Sequence, residues 1–255
     1  KIISSEVRNL AKRRNVSRYF RTTAPTTKPM IEKLNKFNLK TSEIEKLKTF
    51  NSRDGFVLLD DKEFDEMENY FSQFPIYKNL VAISTDENSN YWCLNVDGPM
   101  KEMICYLSHD EPNLEPKFKN ISSFINVINE NPDAYDFDDL EETLFDFPNS
   151  KNQTEFDERK QIIEKLKTNF KSEREEDVKQ QIAFSIIAMS LTDEIEENIY
   201  PFLNDEDMYI QERAIQIIGF HKYKPAKEKL IELKTSAMPN GQTAIGIALK
   251  KMNEN

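Results

Sequence analysis

The chain has 255 residues, 38% apolar and 31% charged, with a net charge of −10, a balance that suits one large or two modest globular domains. No window approaches the roughly 18 uninterrupted apolar residues of a helical membrane span. Two cysteines cannot build a disulfide framework and the first residues lack a signal-type apolar core, so a reducing, cytoplasmic setting is expected.

The charge is unevenly spread. Residues 1–28 hold eight basic residues against Glu6 alone, a net +7, which leaves −17 for the remainder. A body that acidic repels nucleic acid and speeds the approach of basic proteins. Val7 to Arg14 reads as a short basic helix, either touching phosphate or lipid, or packing as a solvated tail; the tail is favoured. Thr22 to Pro29 is a linker by composition.

From Met30 the pattern turns helical. Ile31, Leu34 and Phe37 share a face, and Thr41-Ser42-Glu43-Ile44 starts a second helix with a Ser/Thr cap. Asp54-Gly55 is a turn before a short strand at Phe56–Leu59, and Phe64, Met67, Tyr70 and Phe71 form the apolar side of a third helix. Then come an apolar strand, Leu80 to Ile83, and a hairpin. In Tyr91 to Asn95, Trp92 and Leu94 alternate with Tyr91, Cys93 and Asn95, the period of a strand with one buried face. Asp97-Gly98 supplies the turn, and Ile104-Cys105-Tyr106-Leu107 the return strand, which sets Cys93 opposite Cys105 if the turn centres near Pro99. Trp92 fits a core position better than an interface anchor.

This order, with Tyr-Trp-Cys-Leu, the Gly-Pro turn, Ile-Cys-Tyr-Leu, His109-Asp110-Glu111 and the amphipathic Ser123-Phe124-Ile125 helix, resembles the SUKH superfamily, a domain shared by bacterial immunity proteins and fungal cell-wall regulators. The resemblance covers residues 29–132 and implies an α+β fold. Such domains often carry a Gly-rich loop before the central strand; here that place holds Asp86-Glu87-Asn88-Ser89-Asn90, without glycine.

Residues 131–148 hold seven carboxylates, among them Asp136, Asp138 and Asp139, interleaved with aromatics and without a lysine or arginine. They form either a surface for a basic partner or a connector, residues 133–154, with its aromatics buried; the connector is favoured. Residues 155–255 repeat themselves. Val178 to Ile187 aligns with Ile210 to Gly219 at an offset of 32, and a weaker third copy falls at Ala244, Ile245, Ala248, Leu249 and Met252. Helix pairs at this spacing resemble HEAT-type repeats, which serve as protein-binding scaffolds. Pro201 inside a helical window predicts a bend or an early end.

Chemistry-bearing patterns are sparse. His109 and His221 are the only histidines, and two cysteines with one nearby histidine cannot close a zinc site. The five glycines are too scattered for a phosphate loop. No metal, cofactor or catalytic group is therefore expected. The resemblance implies an immunity protein that neutralises a toxin, often a basic nuclease. Candidate contacts are Asp86, Glu87, Asn88 and Asn90, then Asp97 and Gly98, then His109, Asp110 and Glu111, with Asp136, Asp138 and Asp139 as a second choice. The alternatives are a scaffold binding another protein through the helical repeats and a hydrolase using acidic residues near His109. Neither nucleic acid nor membrane is expected as a partner.

Overall fold

A computed structural model describes residues 29–149, 156 and 158–254; the basic arm, residues 1–28, lies outside them. These residues divide into two compact units, one ending at Leu144 and one starting at Phe145.

The first unit is mixed α and β. Helix α1 (Pro29–Lys33) tightens into a 3-10 turn through Phe37, with Ile31 and Leu34 buried. Helix α2 (Thr41–Thr49) does not use the expected Ser/Thr cap. Lys40 holds the N-cap without a side-chain bond, and its backbone N–H donates to Glu102. Helix α3 (Asp61–Phe71) has a full capping box from Asp60 and Glu63, and buries Phe64, Met67 and Phe71. Five antiparallel strands stand in chain order: β1 (Val57–Leu58), β2 (Leu80–Thr85), β3 (Tyr91–Asn95), β4 (Ile104–Leu107) and β5 (Pro116–Phe118). Helix α4 (Ile121–Glu130) follows, its first turn closed by Glu43, which accepts from the Ser122 N–H at 2.7 Å and hydroxyl at 2.9 Å.

The hairpin register sets Cys93 opposite Cys105 and Trp92 opposite Tyr106. The single buried face expected for β3 is a correction, because all five of its residues are buried. An alternating pattern shows one face only when the other meets water; here α3 packs on β2, and Trp92 lies against Phe124 of α4. Trp92, 1% exposed, also meets Phe56, Phe118 and Phe137, and this ring cluster is the centre of the core.

The second unit shows no strand among its described residues. It comprises α5 (Arg159–Ser172), α6 (Glu176–Met189), α7 (Ile195–Asn198), α8 (Met208–Phe220), α9 (Lys227–Leu233) and α10 (Pro239–Asn253). Pro201 follows the end of α7, where the chain narrows into a 3-10 turn over Tyr200–Asn204. Both aligned repeats fall inside helices, α6 and α8. Helix α6 packs on α5 and α8, and α8 on α10. At Gly219 the approach of α10 is so close that a Cβ would sit 2.8 Å from that of Ala248. Arg159, 3% exposed, donates to the Met189 carbonyl and grips Glu194 with both Nη atoms.

Candidate functional site

Three segments meet at one end of the sheet: the loop between β2 and β3, the residues leaving β4, and the acidic turn after α4. The loop builds a tight turn without glycine. Asp86 Oδ1 accepts from the backbone N–H of Asn88 at 2.7 Å and of Asn90 at 3.2 Å, and Oδ2 accepts from the Asn90 amide at 2.6 Å. Thr85 Oγ1 accepts from Glu87 N–H and donates to the Asn90 carbonyl. These bonds hold Glu87 and Ser89 at φ 63° and 74°, a region non-glycine residues seldom occupy.

Asn90 links the loop to β4. Its Oδ1 accepts from the His109 backbone N–H at 2.9 Å and lies 2.8 Å from the ring Nδ1, while Nε2 sits 3.4 Å from Asp110 Oδ1. The imidazole is thus half-buried and committed on its Nδ1 side.

The acidic turn arrives through Phe137, whose ring stacks on Tyr106 at 4.2 Å and 9°. Asp136 Oδ1 accepts from the N–H groups of Asp138 and Asp139, and Asp139 accepts from Tyr135 N–H. Burial raises the Tyr106 pKa, and the charges of Asp86, Asp138 and Asp136 raise it further, so the phenol stays neutral among three carboxylates. Beneath them Lys117 pairs with the fully buried Glu115 at 2.6 Å and stands 5.6 Å over the Phe137 ring. On the far side Arg53 donates to the carbonyls of Ile128, Asn131 and Ala134, fixing where the turn leaves α4.

The structure therefore brings Asp86, Asn90, His109, Asp136 and Asp138 together, with Glu87, Asn88, Asp110, Glu111 and Asp139 exposed on the same segments. It does not bring Asp97 and Gly98 to them. That turn, with Gly98 at φ 78°, lies past the other end of β3, beside Asn79. The aromatics of residues 131–148 do not all bury as expected for a connector: Phe145 and Phe147 do, but Tyr135 is 63% exposed. Sequence reasoning missed Tyr106, Phe137 and Lys117; the interleaving of aromatics with carboxylates pointed to Phe137, and nothing marked the other two.

Cys93 and Cys105 are fully buried, and burial, then the neighbouring Cys105 thiol, raises the Cys93 pKa well above the ordinary range. Among the described residues no group of three or more His, Cys, Asp or Glu side chains is placed to hold a metal ion, and no helix is long and apolar enough to cross a membrane. No family model, curated protein or solved structure matches the chain significantly.

Proposed function

We propose that the chain is a non-enzymatic protein-binding module, an immunity protein that captures a basic toxin nuclease with the acidic end of its sheet. On this reading the first unit is a SUKH-type domain and the second a HEAT-like array. The observation that carries the proposal is the convergence of Asp86, Asp136 and Asp138 around Tyr106, next to the Asn90–His109 link. The outward carboxylates of Glu87, Glu111 and Asp138 extend the negative field to an approaching basic surface, which raises the encounter rate more than the final affinity. The network of short bonds under them keeps the loop preshaped, so little ordering entropy is lost on binding.

Pull-down with the product of the neighbouring gene tests this reading, and a complex that weakens as salt rises is expected. Turnover of ester, phosphate or nucleotide substrates that disappears in His109→Ala would replace it with a hydrolase.

A further inference from the structure

The helical unit divides its charge along the chain. Residues 190–219 carry eight carboxylates and one arginine, a net −7, whereas residues 220–254 carry seven lysines and three glutamates, a net +4. All seven lysines are exposed, and none pairs with a carboxylate among the described residues. Scattered surface lysines are ordinary, but these accompany exposed apolar side chains. Lys227, Ile231 and Lys234 follow one another at i, i+4 and i+7 along α9 and its C-cap, and Ile231 is 45% exposed. On α10, Ile247 is 54% exposed, with Lys250 and Lys251 three and four residues on. The start of α9 lies beside the C-terminal end of α10: Lys222 Nζ reaches the Glu254 carbonyl and Lys227 Nζ the Asn253 Oδ1, each at 3.3 Å. On α8, against which α10 packs, Ile210, Ile215, Ile217 and Ile218 are all buried, whereas Ile247 of α10 meets solvent.

We propose that the α9–α10 pair docks an acidic amphipathic segment of a partner protein, with carboxylates on the lysines and apolar side chains over Ile231 and Ile247. Helix-on-helix recognition of this kind reads anchors at i, i+3 and i+4. A nucleic acid is a poorer fit, because residues 220–254 hold no arginine, and Tyr223, the aromatic nearest these lysines in sequence, hydrogen bonds Glu196. An anionic bilayer calls for a broader apolar face than two isoleucines. This surface is opposite in sign to the acidic end of the sheet, and it stands whether or not that end binds a toxin.

The test is fluorescence anisotropy on the full chain with a labelled synthetic peptide helix of about five turns, leucine on one face and glutamate on the other. Binding is expected to weaken about tenfold with Lys250→Glu plus Lys251→Glu and severalfold with Ile247→Ser, and to fall as salt rises. The charge-matched control, Lys78→Glu plus Lys101→Glu, is expected to leave it unchanged. Absence of peptide binding, an equal loss in the control, or tighter binding of single-stranded DNA or phosphatidylglycerol vesicles overturns the proposal. Far-ultraviolet circular dichroism confirms that each variant is folded.

Discussion

Asn90 Oδ1 lies 2.8 Å from His109 Nδ1 and accepts from the His109 backbone N–H as well, so one amide ties the β2–β3 loop to the end of β4. The same amide donates to Asp86 at 2.6 Å. Asn90→Ala is expected to cost about 1–2 kcal/mol in urea unfolding, as three partners lose a bond. Asn90→Asp sets a second carboxylate beside Asp86; it is expected to cost more than alanine at pH 7 and to recover as acid protonates one of the pair.

The Glu87 backbone stands at φ 63° on an exposed loop position. Glycine takes this conformation without steric strain, which outweighs the entropy it adds to the unfolded chain. Glu87→Gly is expected to stabilise by about 0.5–1 kcal/mol, read from the denaturant midpoint.

Arg159 is buried with both Nη atoms on Glu194, and Glu194 also accepts from the Leu191 N–H. Arg159→Ala takes the bidentate partner from Glu194, leaves it the longer pair with Lys160 at 3.6 Å, and strips the Met189 carbonyl of its donor. It is expected to destabilise the helical unit by about 2 kcal/mol. Glu194→Gln turns an amide N–H toward an Arg159 or Leu191 donor and leaves the buried guanidinium without a carboxylate, so it is expected to cost at least as much. Thermal unfolding of the two variants side by side checks the order.

Burial lowers the His221 pKa to about 4 from 6.5, against a smaller opposing effect of a Ser190 backbone hydrogen bond. Well above pH 6.5 neither the folded nor the unfolded chain protonates this ring, and stability does not depend on it. Between 6.5 and about 4 the unfolded chain binds a proton that the folded one refuses, so stability falls with pH, by about 3 kcal/mol in total. His221→Phe is expected to remove this contribution. The difference between the urea midpoints of wild type and variant, followed from pH 7 to pH 4, measures it.

Local pattern foretold much of this fold. The Asp97-Gly98 turn pinned the hairpin, so the pairing of Cys93 with Cys105 was readable. Pro201 marked the end of α7, and the 32-residue offset placed two helices. What escaped was set by contacts distant in sequence. Lys40 became an N-cap because Glu102 receives its N–H, 62 residues away. Positive φ at Glu87 and Ser89 had no glycine to announce it. The acidic turn is held beside the Asp86 loop by Phe137 stacking on Tyr106, 31 residues earlier, and by Arg53 on the carbonyls where the turn leaves α4, and no periodicity encodes those pairings.

Calorimetric titration of the protein encoded by the neighbouring gene into wild type and into Glu87→Lys/Glu111→Lys/Asp138→Lys tests the acidic surface most directly. All three side chains are exposed, so the fold is expected to survive. The account predicts at least about tenfold weaker binding and a flatter salt dependence in the triple variant. Affinity equal to wild type across the same salt range would contradict it.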